Sequence, residues 1–368
     1  MIRASIVLLT VTLSASTLAQ ATAANPPAKQ DAVPPSAATK VTEDAIRTAL
    51  SLIPRPNDSY GAALATMVES FPAYQGDGQP ITEDLVIHAT DATAVLFMEL
   101  GRAWTKVNSD STVAVHQTIA DGNMQELERN DGSILAIARP ISATVADRLH
   151  ARGGEVQEVP FARDGVAFFV HIDNPLAGLT RVQCNGIVSA THTICPRLIL
   201  KWNDLDPSSP LGETPFPLYM LDAKSATMQR VVEWCMPGEP ITTIDTFIEP
   251  SASSVVNACC AYRTAMGIAS TGARQPRARM LPIAAEDNAP FVAPSVLTIA
   301  DGSYPLARSL RLVFITPKGT EVPRHIRQFL RFIWSEDGQD IVAQLKLVPP
   351  DIAQIPPQLG TPDNNIWK

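Results

Sequence analysis

The sequence predicts an α/β fold with a mostly parallel sheet. Three observations carry that expectation. From Leu85 onward, short apolar runs of strand character alternate with runs of helical spacing, the rhythm of strand–helix–strand units. Residues 166–172 form a seven-residue apolar run that ends in Asp173-Asn174-Pro175; it reads as a strand buried on both faces. A second such run, Leu310, Leu312, Val313, Phe314 and Ile315, follows Pro305 and precedes a helical pattern in Phe329, Leu330, Phe332 and Ile333. At 368 residues the chain is long enough for two domains with sizeable cores.

Residues 1–23 read as a secretory signal peptide, expected to be removed. Arg3 supplies a positive start, Ile6 to Leu13 an apolar stretch, and Ala19-Gln20-Ala21 and Ala21-Thr22-Ala23 two small-residue cleavage sites. No Cys follows at once, which argues against a lipoprotein anchor, and no later stretch has the ~20 apolar residues needed to span a bilayer. The chain is therefore expected to be periplasmic or secreted. Pro26, Pro27, Pro34 and Pro35 mark residues 24–41 as a linker expected to be extended or disordered. Residues 42–83 form a helical extension. Ile46, Ala49, Leu50 and Ile53 make one stripe after a Thr42 cap, stopped by Pro54 and Pro56; Leu64, Met67, Val68 and Phe71 make another. These stripes either pack on the chain's own body or face a partner.

Next come a strand at Leu85-Val86-Ile87, a helix over 91–104, a strand at Val113-Ala114-Val115, a helix over 122–128 and a strand over 134–137. After the run at 166–172, a helix is expected from Met228 to Trp234.

Composition narrows the function. A formal charge of −8 argues against nucleic acid but not against a buried anion, which is held by local dipoles and a few cations. The five cysteines of an exported chain suit structural disulfides, with Cys184 and Cys195 closing a local loop and Cys235 pairing with Cys259 or Cys260. Buried free thiols are the alternative. No C-x-x-C is present and no His sits at ligand spacing from a Cys pair, so no metal or other cofactor is expected. His88 and His116 end neighbouring strands, a placement more often structural than functional. G-x-S-x-G, H-E-x-x-H and S-x-x-K followed by K-T-G are all missing, so the chain does not read as an enzyme.

A set of ordered landmarks goes further. From Ser303 the chain reads S-Y-P-L-A-R-S-L-R-L-V-F-I, and Ser335 begins S-E-D-G-Q. Upstream lie Pro160-Phe161-Ala162-Arg163-Asp164-Gly165-Val166-Ala167 through Asn174-Pro175, Leu179-Thr180 with Gln183, Ile187-Val188-Ser189-Ala190, Trp202-Asn203-Asp204-Leu205 and Ala265-Met266-Gly267-Ile268. In this order they resemble the phosphate-binding protein family, the periplasmic solute receptors of phosphate ABC importers, from about Asp84 to Pro350. The resemblance implies a two-lobed α/β fold of the type II periplasmic binding protein-like kind, with a ligand cleft between the lobes. Lobe 1 would hold 84–163 and 304–350, lobe 2 would hold 164–303, and 351–368 would be a C-terminal tail.

The same resemblance implies where an oxyanion would bind. Helix N-termini offer unpaired N–H groups and a positive dipole end, and hydroxyl side chains add donors. Ala89-Thr90-Asp91-Ala92-Thr93 opens a helix after a strand and makes Thr90 and Asp91 candidates, either as ligand contacts or as ordinary caps. Ala223-Lys224-Ser225-Ala226-Thr227 is similar to the family's S-G-T segment and makes Ser225 and Thr227 candidates. Thr118 is the donor left in Gln117-Thr118-Ile119-Ala120-Asp121-Gly122. Arg139, in Ile137-Ala138-Arg139-Pro140, is the best-placed cation. Several positions depart from the pattern. Leu221 stands where the family commonly has an Arg, and Ala138 where some members have Ser or Asp. Ala89 and Ala226 replace glycines. Lys224 either restores a point charge or is a solvated surface residue. Either the ligand differs from phosphate or the grip on it is weaker.

Two functions are therefore expected in competition. One is a monomeric extracytoplasmic receptor that binds phosphate or a related small anion for an ABC permease. The other is a non-transport envelope or secreted interaction protein on the same scaffold with a degraded ligand site.

Overall fold

The computed structural model describes residues 59–118, 127, 132–356 and 359. The expected signal peptide, the linker, the stripe at 46–53, nearly all of the 122–128 helix and most of the tail lie outside the described residues.

In chain order the elements are helix α1 (Ser59–Val68), strand β1 (Leu85–Ala89), α2 (Ala94–Val107), β2 (Val113–Gln117), β3 (Ile134–Ile137), α3 (Ala143–Ala151) and β4 (Gly154–His171). β5 (Leu179–Thr180), α4 (Arg181–Val188), α5 (Trp202–Leu205), β6 (Leu218–Met220), α6 (Ala226–Cys235), β7 (Thr246–Ile248) and α7 (Ala252–Ala261) follow. β8 (Met266–Ser270), β9 (Ala278–Met280), β10 (Ile283–Ala284), α8 (Val296–Ala300), β11 (Ala307–Pro317), α9 (Arg324–Ile333) and α10 (Glu336–Gln344) come next, with short 3-10 turns at Thr271–Ala273 and Ile352–Gln354. The fold is two-lobed α/β. One sheet runs β2-β1-β3-β11-β4-β8-β6-β7, with β9 also on β4; β5 and β10 form a separate pair. β1, β2 and β3 are parallel, as are β6, β7 and β8.

Strand β4 joins the two halves. The sequence suggested a strand at 166–172 alone; the structure has one 18-residue strand. Its first part pairs antiparallel with β11, from Ala307 opposite Gly165 to Pro317 opposite Gly154. Its second part pairs with β8 and β9. The run 310–315 thus lies beside 156–162 rather than beside 166–172, and the link between the strands ends where Val166 N–H donates to Leu306 O at 3.1 Å. The register shifts between Leu310, opposite Ala162, and Arg311, opposite Pro160, so Phe161 is the extra residue of a bulge. A bulge is where a strand tolerates proline.

Each lobe has its own core. Ile87, Phe97, Leu100, Trp104, Phe161, Leu312, Phe329 and Phe332 pack in the first, with Phe97 and Phe161 edge-to-face at 5.1 Å. Phe168, Phe169, Leu218, Met228, Val255 and Ile268 pack in the second. Each fully buried aromatic contributes about 1.5–3 kcal/mol. Helix α1 packs on the body at the seam, as one of the two readings of the extension expected. Leu64 joins the second core and Phe71 the first. Tyr60 donates to Lys346 O at 3.3 Å and lies under the Arg274 guanidinium, 3.2 Å from its ring centroid.

The landmarks are satisfied locally. Ser335 caps α10, accepting from Gly338 N–H at 3.3 Å. A Cβ on Gly338 would stand 2.2 Å from Phe332 O, so only glycine fits. Gln339 reaches back to Phe161 O at 3.1 Å and Ile333 O at 2.8 Å. Thr180 and Gln183 cap α4 reciprocally.

The disulfide expectation fails: all five cysteines are free. An ideal Cβ on Gly186 would meet the Cys195 thiol, so that thiol packs over Gly186. Cys184 lies two positions earlier on the same helix and therefore faces another way. Burial pushes the Cys235 and Cys259 thiols up to about 12. The Cys184 thiol is raised well above its ordinary value, by burial first and by neighbouring Cys235 second.

Candidate functional site

Where the lobes meet, Thr90, Ile137, Ala138 and Arg139 from the first face Ala226, Gln229, Arg230 and Glu233 from the second. Between them is a cavity of about 10 Å³, room for about one water molecule.

The segment after β1 turns before it becomes helix. Helix α2 was expected from Asp91 but starts at Ala94, with Thr93 at the cap position and no side-chain cap bond. Neither Thr90 nor Asp91 is the cap. A turn delays the helix: Thr93 and Ala94 N–H both donate to Thr90 O, at 3.0 and 2.9 Å. The Thr93 hydroxyl donates to Ala136 O at 2.7 Å and accepts from Thr90 N–H at 3.0 Å. Thr90 is thereby buried at the cavity wall.

In lobe 2, Ser225 caps α6, its hydroxyl oxygen accepting from Met228 N–H at 3.1 Å. The next two donors meet Asp91 across the cleft. Ala226 N–H donates to Asp91 Oδ1 at 2.7 Å, and the Thr227 hydroxyl donates to Asp91 Oδ2 at 2.8 Å. Thr227 also accepts from Arg308 Nη2 at 3.3 Å. Arg308 in turn holds Asp164 through Nε at 3.0 Å and Nη2 at 2.7 Å, with both side chains buried. This pair joins two landmarks of the sequence, P-F-A-R-D-G and Y-P-L-A-R.

Thr90, Asp91, Arg139, Ser225 and Thr227 thus gather at the lobe junction. Thr118 is set apart from the cavity wall. It lies beside the end of β1, its N–H donating to Ala89 O at 2.8 Å, and is half-buried. Leu221 is in the second core and Lys224 is exposed, so neither supplies the missing cation. Ala138 lines the cavity.

Sequence reasoning missed Arg230. Its Nη2 donates to Pro305 O at 2.8 Å, while its buried Nε has no partner among the described residues. Burial presses its guanidinium below the ordinary value; Glu233 opposes this and nearby Arg308 adds to it. The signal was in the helix period. Ala226, Gln229, Arg230 and Glu233 stand at i, i+3, i+4 and i+7 and form one face. Glu233 Oε1 lies 3.9 Å from Arg139 Nη1, a loose pair across the cleft. His88 and His116 stack at 5.5 Å, in register on β1 and β2. The described residues hold no group of three or more side chains suited to a metal.

A family profile described as the PBP superfamily domain matches residues 74–337. This chain belongs to the PBP superfamily. The curated relatives that it resembles are phosphate-binding proteins. The phosphate-binding protein PstS of Pseudomonas aeruginosa is 28% identical over 193 residues, 52% of this chain and 59% of that protein. The match therefore spans less than two thirds of that relative. PstS of Staphylococcus epidermidis is 22% identical over 269 residues, 72% of this chain and 78% of that one. An ABC-type phosphate transport receptor from Vibrio cholerae shares the fold, with a TM-score of 0.57 at 18% identity, covering 72% of this chain and all of that one.

Proposed function

We propose that this protein is an extracytoplasmic solute-binding protein that takes up phosphate or a related small oxyanion for an ABC permease, after loss of residues 1–23 as a signal peptide. The observation that carries the reading is the meeting of Thr90 and Arg139 from one lobe with Arg230 and the N-terminus of α6 from the other. An anion at that junction would be shared by both lobes, so its binding would favour closure. Lobe 1 comprises 84–163 and 304–350, and lobe 2 comprises 164–303. The names of the relatives support phosphate as the first ligand to test. The ligand set is Thr90, Arg139, Ser225 and Thr227 with Arg230 added; Thr118 stands outside it. Arg230 supplies the second-lobe guanidinium that Leu221 does not. It does so one helical turn along α6, which gives a different approach to the anion.

The test is calorimetric titration of phosphate and of sulfate into refolded, ligand-free protein. Phosphate should bind, and Arg139→Ala or Arg230→Ala should each weaken binding about ten- to a hundredfold, the worth of one charge-assisted hydrogen bond. Absence of binding to any oxyanion, or affinity unchanged in both variants, would refute the reading.

A further inference from the structure

Asp91 occupies the place that a bound anion would take. Its two carboxylate oxygens accept from Ala226 N–H and from the Thr227 hydroxyl, the first two residues of helix α6. An oxyanion makes the same demand: acceptor oxygens for an N–H and an O–H donor at the positive end of a helix dipole. Asp91 belongs to the first lobe and α6 to the second, so this contact ties the lobes together across the cleft. Two further observations agree. Ala226 packs with the core of the first lobe, on the far side of the cleft from its own helix. The cavity left beside it is only about 10 Å³.

The surrounding charges fit the same picture. Arg139, Arg230 and Arg308 converge here against the carboxylates of Glu233 and Asp164. Asp91 supplies the further negative charge that an anion would otherwise bring. Arg308 Nη1 is buried with no partner among the described residues, although the same guanidinium reaches Thr227. From Asp91 through Thr227 and Arg308 to Asp164, hydrogen bonds run unbroken from the cleft to the strand that joins the lobes.

We propose that Asp91 is a tethered competitor for the anion seat of helix α6: it closes the cleft without ligand, and a free anion binds by displacing it. The regulation assigned here rests on the oxyanion reading for its ligand, whereas closure by Asp91 does not. A carboxylate carried on the same chain competes at an effective concentration on the order of millimolar. The apparent affinity for the anion falls by the fraction of molecules in which Asp91 is released. Asp91 thus changes role, from a ligand contact to the group that keeps the ligand out.

The experiment compares wild type, Asp91→Ala and Asp91→Asn, all stripped of anion, by small-angle X-ray scattering with and without phosphate and by phosphate calorimetry. Wild type should be closed without anion, its radius of gyration unchanged at saturating phosphate. Asp91→Ala should be expanded when empty, contract on phosphate, and bind it roughly tenfold or more tightly than wild type. Asp91→Asn keeps the shape and one acceptor oxygen but loses the charge, and should fall between. An empty wild type that is open, or an Asp91→Ala protein that binds phosphate more weakly, would overturn the proposal. If Asp91→Ala opens but binds no oxyanion, the closure stands and the phosphate reading falls. If it binds phosphate at wild-type affinity with wild-type radius, the phosphate reading stands and the tether falls. Should Asp91→Ala fail to fold, the wild-type scattering pair and Asp91→Asn decide the matter.

Discussion

At the strand crossing, the Asp164 carboxylate takes Gly165 N–H at 2.8 Å, the Ser270 hydroxyl at 2.8 Å and the Arg308 fork on its other oxygen. At the mouth of the cleft, Arg139 reaches Glu233 only at 3.9 Å, and its side chain is 35% exposed. Both places set arginine against carboxylate, with different physical outcomes. The crossing is dry, and its charges would cost several kcal/mol each if unpaired. The mouth is wet, its pairing is loose, and a surface pair of this kind is worth about 0–1 kcal/mol. The ion pair at the crossing is closed off from solvent; the one at the cleft is partly exposed to it. The crossing pair joins two of the sequence landmarks, whereas Ala138 lines the cleft and Leu221 is buried in the second core.

The largest effect should come from breaking the crossing. Arg308→Ala leaves Asp164 buried without its cation and should destabilise the protein by about 3–5 kcal/mol in chemical denaturation. Arg139→Ala should cost less than about 1 kcal/mol of stability. Equal costs for the two variants would erase the distinction between crossing and mouth.

A smaller effect sharpens the comparison with a third ion pair. Arg324 grips Asp77 through Nε at 2.7 Å and Nη2 at 2.6 Å, tying the segment after α1 to α9. The side-chain hydrogen bonds from Arg324 hold the Asp77 carboxyl at about 2, below its ordinary 3.8. A carboxyl lowered on folding stabilises above its unfolded value, and that contribution is lost as pH falls through the folded one. Because the pair is about a third exposed, solvent screening limits its worth to about 0.2–1 kcal/mol. Asp77→Asn should therefore lower stability slightly at pH 7, and the gap to wild type should close as pH falls from about 4 toward about 2. A gap independent of pH would mean that the ion pair contributes nothing.

Much of this was legible in the sequence because it is local. The strand–helix rhythm, the cap of α6 at Ser225, and the pairing of Thr180 with Gln183 follow from residues within one or two turns of each other. Arg230 was also legible, through the i, i+3, i+4, i+7 face from Ala226, but attention to the N-terminus alone hid it. What was not legible depends on long-range packing. Pro160 and Gly165 look like strand breaks, yet a bulge at Phe161 absorbs the proline and β4 continues. Cysteine spacing does not tell which way each thiol faces, so the Cys184–Cys195 pair was expected where the helix turns them apart. Asp91 meets Ala226 from 135 residues away, and nothing near Asp91 in the chain announces that partner.

The most direct measurement is a crystal structure of the protein grown with phosphate. We expect the anion in the cleft between Thr90, Arg139 and Arg230, with Asp91 withdrawn from Ala226 and Thr227. Phosphate bound elsewhere, or a cleft with Asp91 still on the N-terminus of α6 at saturating phosphate, would contradict both the site and its closure.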